Sequence, residues 1–319
     1  MNFNCASFFA GVGGIDTGFE MAGFKTVYAN EFDKNAATTF STNFPDVQMD
    51  ICDICDLNES KDIPDFDILL GGFPCQAFSI AGYRQGFDDE KGRGNLFFEL
   101  LRIIKKKKPK VIFLENVKNL VSHDNGNTFN IINESLSDLG YHVKTMVLNS
   151  CNYGNVPQTR ERIYLVCFKN KKHYKNFDFP KPIKLEKSLK DVIDFDNPQD
   201  EKFYYTESCS FYDKLEESIT HSETCYQWRR IYVRENKSNL CPTLTANMGT
   251  GGHNVPLIMT HDGQIRKLTP RECFNLQGFP NEFILPENLS NGALYKQAGN
   301  SVVVTVIKRI ADEIMEAIK

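Results

Sequence analysis

The 319-residue sequence lacks several features that define whole classes of protein. It has no apolar run near the ~20 residues that a membrane-spanning helix needs, and its start lacks the basic segment of a secretory signal peptide. We therefore expect a cytoplasmic protein with no membrane contact. No internal repeat or low-complexity tract stands out, which argues against a solenoid or a disordered chain.

The chain has ten cysteines, but it lacks the two Cys-x-x-Cys pairs of a structural zinc site. Without an export signal, so many thiols indicate a reducing compartment and free cysteines rather than a disulfide framework. Cys52 and Cys55 form one Cys-x-x-Cys, but a structural zinc site usually needs a second pair at a fitting spacing. The sequence has no such pair, so we expect no metal site.

A complete dinucleotide fingerprint is absent as well. A glycine turn, residues 10–14, follows an apolar segment and precedes a helix that runs through Met21, as in nucleotide-binding folds. The pattern Gly-x-Gly-x-x-Gly starting at Gly11 would need glycine at position 16, where Asp16 stands. The turn therefore suits close approach by a compact ligand without phosphates better than it suits a pyrophosphate.

Acidic residues follow the next two predicted strands. Glu31 lies ~20 residues beyond the glycine turn, the position at which an acid binds a ribose diol. Asp50, followed by Ile51, ends the next strand, where a carboxylate can accept a hydrogen bond from an adenine amine. A glycine turn and two such acids in succession predict an adenosine-containing cofactor.

A candidate nucleophile follows a buried strand near residues 66–70. Gly71 and Gly72 allow close backbone approach, and Pro74 stiffens the turn that presents Cys75. Glu115 ends a second apolar strand, while Arg160 and Arg162 open a third. A thiol, a carboxylate and two guanidinium groups at strand ends predict a nucleophilic site with its own electrostatics.

The alternation of strands and helices stops after residue 169. Residues 170–200 indicate a boundary, and residues 200–262 contain short strand-like pieces with aromatic and basic residues. We expect a catalytic domain formed by residues 1–180 and 294–319, and a smaller domain with a hinge formed by residues 181–293. The glycine-rich loop 77–95, beside Cys75, is the expected lid.

Taken together, seven blocks in this order resemble the DNA (cytosine-5-)-methyltransferase family of the bacterial restriction–modification type, over nearly the whole chain. The blocks are Phe9-Ala10-Gly11-Val12-Gly13-Gly14, Asn30-Glu31, Gly71-Gly72-Phe73-Pro74-Cys75-Gln76, Glu115-Asn116-Val117, Gln158-Thr159-Arg160-Glu161-Arg162, Arg266-Lys267-Leu268-Thr269-Pro270-Arg271-Glu272 and Gln297-Ala298-Gly299-Asn300-Ser301-Val302. One departure is visible, because the family usually has an acid where this chain has Ser7.

The resemblance implies an α/β, Rossmann-like fold that depends on S-adenosylmethionine, with a smaller, irregular, β-rich target recognition domain. It implies methyl transfer to carbon 5 of a flipped-out cytosine through a covalent bond from Cys75 to carbon 6. Glu115 would hold ring nitrogen 3 and the exocyclic amine. Arg160 and Arg162 would bind the base oxygen and orient Glu115 or a phosphate.

The resemblance also implies two sets of binding residues. The cofactor would be bound by Phe9, Gly11, Gly13, Gly14, Glu31, Asp50, Ile51, Pro74, Asn300 and Ser301. The DNA substrate would be bound by Phe73, Gln76, Ser79, Gln227, Arg230 and Thr243.

The implied partner is double-stranded DNA, with a cognate restriction endonuclease acting on the same site and the methyltransferase as a monomer. The segment from Arg230 to Pro256 resembles readers of CC…GG-type sites. Two other functions remain open. A transfer-RNA cytosine methyltransferase shares the catalytic blocks, and a catalytically silent nucleic-acid-binding module could share the fold. The Arg- and Gly-rich reader favours duplex DNA, and intact Cys75, Glu115 and Arg160 favour an enzyme.

Overall fold

The computed structural model describes residues 3–74, 96–229, 231–249 and 255–319. The chain divides into two compact units. The first comprises Met1–Leu148, Glu161–Pro180 and Ile307–Lys319, and the second comprises Asn149–Arg160 and Lys181–Val306.

A seven-stranded sheet forms the centre of the first unit. Its strands are β1 (Asn4–Phe8), β2 (Lys25–Asn30), β3 (Gln48–Asp50), β4 (Ile68–Gly71), β5 (Val111–Val117), β6 (His142–Asn149) and β7 (Glu161–Phe168). They lie in the order β3-β2-β1-β4-β5-β7-β6. The first five strands in this order pair in parallel, whereas β7 runs antiparallel to β5.

The apolar runs of the sequence explain this sheet. Every residue of β4 is buried, and so are the first six residues of β5. Strands of a parallel sheet are covered on both faces, so their side chains are apolar in succession rather than in alternation.

Ten α-helices are described. They are α1 (Gly14–Met21), α2 (Lys34–Asn43), α3 (Leu96–Lys107), α4 (Asn127–Asp138), α5 (Ser150–Tyr153), α6 (Lys171–Asn176), α7 (Tyr212–Ser218), α8 (Pro270–Leu276), α9 (Asn291–Asn300) and α10 (Val304–Ile318). Short 3-10 helices occupy Ile54–Asp56, Lys118–Val121, His123–Gly126, Leu189–Asp191 and Glu201–Phe203.

Local chemistry accounts for several helix ends. The Asp33 side chain accepts hydrogen bonds from the backbone amides at the start of α2. Thr269 and Glu272 form a capping box at the start of α8, with proline at the first helical position. Three lysines lie in the last turn of α3, where cations interact favourably with the helix dipole.

The second unit contains a smaller antiparallel sheet. Its strands are β8 (Tyr226–Trp228), β9 (Val233–Glu235), β10 (Leu257–Met259) and β11 (Ile265–Lys267), in the order β11-β10-β8-β9. A small cluster of buried side chains from α7 and this sheet, including Leu215 and Trp228, forms its core. The predicted class, an α/β fold with a smaller β-rich part, is confirmed.

The unit boundaries differ from the domain limits expected from the sequence in two places. Residues 149–160 and 294–306 belong to the second unit. Hydrogen bonds within the second unit are consistent with this grouping. The backbone of residues 157–159 pairs with Cys241, and the Val304 amide donates to the Gln277 carbonyl. The assignment of a separate biochemical task to each unit is part of the proposal below.

Candidate active site

The glycine turn between β1 and α1 has a backbone conformation that few residues adopt. Gly11 and Gly13 have φ angles of 57° and 85°, in the left-handed region. A Cβ atom on Gly13 would lie 2.4 Å from Cε2 of Phe44, whereas a Cβ atom on Gly11 would meet no atom of the described residues within 4 Å. Phe9 has a φ of 54°, which a bulky residue keeps only where surrounding structure holds it. The turn therefore has a constrained backbone, and no side chain of the described residues crowds Gly11.

Glu31 is held against this turn. The Gly11 amide donates to Oε2 of Glu31 at 2.8 Å, and the Asp33 amide donates to Oε1 at 2.8 Å. Both bonds fix the carboxylate in one orientation at the carboxyl end of β2. The structure thus brings together the glycine turn and the predicted ribose acid.

Asp50 lies directly beside the end of β2, because Asn30 pairs with Asp50 in the sheet. Tyr28 donates to Oδ2 of Asp50 at 2.8 Å. Burial, together with this hydrogen bond, raises the pKa of the Tyr28 hydroxyl well above its ordinary value. An exposed apolar residue directly follows each of the two acids: Phe32, after Glu31, is 73% exposed, and Ile51, after Asp50, is 49% exposed.

Phe32 was not predicted from the sequence as a site residue. The sequence contained a signal for this residue. An aromatic residue directly follows the acid at the end of a predicted strand, and an exposed ring is unusual at such a position. Two exposed apolar side chains on neighbouring strand ends provide surfaces for a planar ring.

A cleft of about 900 Å³ opens at Asp50 and Ile51. Its other lining residues come from positions 48–65 and from Lys107. It lies beside the predicted adenine acid but is not lined by the glycine turn or Glu31.

A buried carboxyl group lies beneath the glycine turn, in the first turn of α1. Asp16 is completely buried and accepts hydrogen bonds from Ser7 at 2.9 Å and from Thr26 at 3.2 Å. Burial raises the pKa of Asp16 from 3.8 to about 7, although the two hydroxyl donors act in the opposite direction. Ser7 is the position at which the sequence departs from the family pattern, so the acid of this region is supplied by α1.

Glu115 and Arg162 form an ion pair at the end of β5 and the start of β7. Nε of Arg162 lies 3.0 Å from Oε1 of Glu115, and both side chains are largely buried. The antiparallel pairing explains the contact, since it places the first residues of β7 beside the last residues of β5. Oε2 of Glu115 lies 3.8 Å from the position that a Cβ atom on Gly72 would take. The carboxylate is therefore held next to the predicted nucleophile turn.

The segment before the predicted nucleophile is also held in place. Nδ2 of Asn116 donates to the Phe73 carbonyl at 2.8 Å, and the buried Phe73 ring lies 5.4 Å from the Phe97 ring. Pro74 is exposed. The predicted site residues Cys75, Gln76, Ser79 and Arg230, and the predicted lid, lie outside the described residues.

Other predicted site residues belong to the second unit. Arg160 is buried and donates to backbone carbonyls, including that of Leu244 at 2.8 Å. Thr243 is partly exposed and donates to the Thr159 carbonyl at 2.5 Å. Asn300 ends α9 on the surface, and Ser301 follows it.

A β-hairpin of the second unit exposes apolar and basic side chains together. Gln227 in β8 pairs with Arg234 in β9. At the tip, the Arg229 amide donates to the Tyr232 carbonyl at 2.8 Å. Ile231 is 74% exposed and Tyr232 is 55% exposed. Basic residues in this segment were expected from the sequence, whereas the exposed apolar pair was not predicted.

The described ranges lack two features, a membrane-spanning helix and a cluster of metal ligands. No helix there is both long and apolar enough to cross a bilayer. Within the same ranges, no three His, Cys, Asp or Glu side chains are arranged to bind a metal ion.

Comparison with known proteins matches residues 3–316 to the family described as C-5 cytosine-specific DNA methylase. The chain is 64% identical over 314 residues to the type II methyltransferase M.Bsp6I of Bacillus sp. (strain RFL6), covering 98% of each protein. It is 41% identical to the type II methyltransferase M.HhaI of Haemophilus parahaemolyticus, covering 95% of this chain and 91% of that protein.

Solved structures show the same fold. The crystal structure of the S. pombe Dnmt2 methyltransferase superposes with a TM-score of 0.76 at 19% identity, over 99% of both chains. A putative DNA modification methyltransferase encoded within an E. coli prophage superposes with a TM-score of 0.69 at 23% identity, over 99% of both chains. The predicted methyltransferase fold is therefore confirmed.

Proposed function

Because the chain belongs to the family of C-5 cytosine-specific DNA methylases and is a DNA cytosine-5 methyltransferase, we propose that it methylates cytosines that are flipped out of duplex DNA, using S-adenosylmethionine. A base inside the stack cannot be reached, so the target nucleotide must leave the duplex, at a cost of roughly a few kcal/mol.

Covalent catalysis is needed because carbon 5 of cytosine is a poor nucleophile. Addition of a thiolate to carbon 6 converts the ring to an enamine, whose carbon 5 can attack an electrophile. The proposed nucleophile is Cys75, which follows directly after Pro74. Carbon 5 takes the methyl group, and S-adenosylhomocysteine is the leaving group. Removal of the carbon-5 proton by a base then breaks the bond between carbon 6 and the Cys75 sulfur, which restores the aromatic ring and frees the enzyme.

The ion pair of Glu115 with Arg162 is the observation that carries this proposal. A carboxyl group held beside the nucleophile turn can share a proton with ring nitrogen 3 as electron density enters the ring. Arg162 fixes the orientation of Glu115 and supplies positive charge near the base oxygen. Asn116, the next residue of β5, holds the Phe73 carbonyl and so aligns the turn that leads to Cys75.

The first unit fits an adenosyl cofactor. We propose that Glu31 accepts hydrogen bonds from the ribose hydroxyls, that Asp50 binds the adenine amine, and that Phe32 and Ile51 contact the faces of the ring. The glycine turn permits close approach of the methionyl part, and S-adenosylmethionine supplies an electrophilic methyl group on sulfur. The oriented Glu31 carboxylate and the exposed Phe32 ring support this assignment.

The second unit is the proposed target recognition domain. Its hairpin tip presents Arg229, Ile231 and Tyr232, and Arg and aromatic side chains are common in contacts with phosphates and bases. We propose that Arg230, which follows Arg229 in the sequence, reads a guanine, that Gln227 fills the space left by the flipped base, and that Thr243 contacts the DNA.

The relatives are named type II methyltransferases, which supports a proposed biological role. We propose that this enzyme acts as a monomer and modifies one DNA site in a restriction–modification system, with an endonuclease that cuts the same site.

A trapping experiment tests the function. Duplex DNA with 5-fluorocytosine at the target should form a covalent adduct in the presence of S-adenosylmethionine, because fluorine cannot leave as the proton does. Cys75→Ser should abolish the adduct, whereas the control Cys55→Ser, at an exposed thiol, should retain it. Radiolabelled methyl groups should enter duplex DNA and not transfer RNA. An adduct that persists in Cys75→Ser, or labelling of RNA alone, would contradict the proposal.

A further inference from the structure

Two segments of the second unit are paired along their backbones. The Cys241 amide donates to the Pro157 carbonyl at 2.7 Å, and the Thr159 amide donates to the Cys241 carbonyl at 2.9 Å. The Thr243 hydroxyl adds a third bond, to the Thr159 carbonyl. The segment that carries Thr243 is therefore attached to the segment that carries Arg160.

Gln158 extends this attachment into α8. Its side chain is completely buried, and its Oε1 accepts the Leu244 amide at 3.2 Å. Its Nε2 donates to the Leu276 carbonyl at 2.8 Å, at the end of α8. Because the Gln158 side-chain amide bonds through both its oxygen and its nitrogen, it holds the backbone at Leu244 in place.

The Arg160 guanidinium joins a third segment to these two. Arg160 is 3% exposed. Nη1 donates to the Leu244 carbonyl at 2.8 Å, and Nη2 donates to the Gly299 carbonyl at 3.0 Å and also to the Ser301 carbonyl. A guanidinium that binds three carbonyls from two distant segments fixes their separation, because its donors form a rigid fork.

Backbone packing at Gly299 shows how close the two segments are. A Cβ atom on Gly299 would lie 2.1 Å from the Thr245 carbonyl oxygen, which no side chain permits. Residues 243–245 and the turn 299–301 therefore touch along their backbones, with Arg160 bridging them.

We propose that Arg160 is a positioning residue that fixes the DNA-contacting segment at Thr243 to the cofactor-contacting turn at Asn300 and Ser301. The inference rests on the proposed function, which assigns the Thr243 contact, and on the cofactor contact at Asn300 and Ser301 that the family resemblance implies. Arg160 then acts through the backbone carbonyls of its own unit and does not touch the target base. Its loss releases both segments and weakens binding of cofactor and DNA together.

Cofactor binding measured without DNA distinguishes a positioning role of Arg160 from a direct contact between Arg160 and the target base. We expect Arg160→Met to weaken the binding of S-adenosylhomocysteine by about 10- to 100-fold in titration calorimetry, as for loss of hydrogen bonds to a charged group. Arg160→Lys, which keeps the charge but can satisfy fewer carbonyls, should lose less. A residue that touched only the base would leave this affinity unchanged and slow methyl transfer alone.

Matched variants identify the cause of a loss of affinity in Arg160→Met. Arg162→Met removes the neighbouring guanidinium, which bonds to Glu115, and should slow methyl transfer without changing the affinity for S-adenosylhomocysteine. Leu215→Ala, in the small core of the second unit, should lower the melting temperature without changing that affinity. Gly299→Ala forces the two segments apart without altering charge and should weaken binding as Arg160→Met does.

The outcomes also separate this inference from the proposed function. If the unaltered enzyme methylates DNA but Arg160→Met and Gly299→Ala bind S-adenosylhomocysteine as tightly as it does, the positioning role is wrong. If the unaltered enzyme methylates no DNA, the proposed function fails, whatever the binding data show.

Discussion

Replacing Asp16 with asparagine should remove a large part of the pH dependence of folding stability. Asp16 is buried beneath the glycine turn, and its carboxyl group is bound by Ser7 and Thr26. Burial raises its pKa from 3.8 to about 7, and the nearby Glu20 carboxylate acts in the same direction. The native protein therefore holds a proton here that the unfolded chain has released above pH 4.

The sign and size of the effect follow from this difference in proton binding. Between pH 4 and pH 7 the native state binds more protons at Asp16 than the unfolded state, so the free energy of unfolding falls as pH rises. The stabilising contribution is complete below pH 4 and is lost once pH passes 7. One proton that only the native state binds changes the free energy of unfolding by about 1.4 kcal/mol per pH unit. The loss between pH 5 and pH 8 is therefore about 2.7 kcal/mol, because most of the change ends near pH 7.

Urea unfolding at several pH values between 5 and 8 measures the effect. The difference in unfolding free energy between the unaltered protein and Asp16→Asn should change by this amount, because other titrating groups cancel. Asp65→Asn is the matched control for the loss of one carboxyl group, since the Asp65 side chain is fully exposed. A difference for Asp16→Asn that does not vary with pH would refute the reasoning.

Three further predictions concern binding and chemistry. Glu31→Ala should weaken S-adenosylmethionine binding by about 1.5–3 kcal/mol, and an unchanged dissociation constant in calorimetry would show that this strand end does not bind the ribose. Glu115→Gln should slow single-turnover methyl transfer by about 10²–10⁴-fold while DNA affinity stays nearly the same, and an equal loss of DNA affinity would contradict a role in proton transfer. Arg230→Ala should cost ~1–3 kcal/mol on the cognate duplex only. Lys237 is an exposed cation two residues beyond the end of β9, and Lys237→Ala should weaken cognate and scrambled duplexes alike and lower the salt slope by ~1. Binding titrations at several salt concentrations compare these two variants, and equal losses on both duplexes for Arg230→Ala would exclude base reading.

Local patterns were sufficient to predict many elements. The buried strand expected near residues 66–70 is present as β4, Ile68–Gly71. The strand, glycine turn and helix at the start of the chain are present, and Glu31 and Asp50 lie at or directly after the ends of neighbouring strands. These features depend on side-chain periodicity and backbone freedom at glycine, which are properties of short segments.

Other features could not be predicted because they depend on pairing between distant segments. The sequence placed Glu115 and Arg162 at strand ends, but only the antiparallel pairing of β7 with β5 brings them to 3.0 Å. It likewise showed Ser7 as a departure from the family pattern, without showing that Asp16 bonds to it.

The sequence by itself determined the family, the fold class and the order of the chemical groups along the chain, because motifs and hydrophobic periodicity are local. The tertiary structure alone decided which of those groups meet. It pairs Glu115 with Arg162, buries Asp16 beneath the glycine turn, and directs Arg160 to the carbonyls of Leu244 and Ser301. The reason is physical: a side chain's partners depend on sheet order and on the packing of distant segments, and neither is encoded within a single short motif.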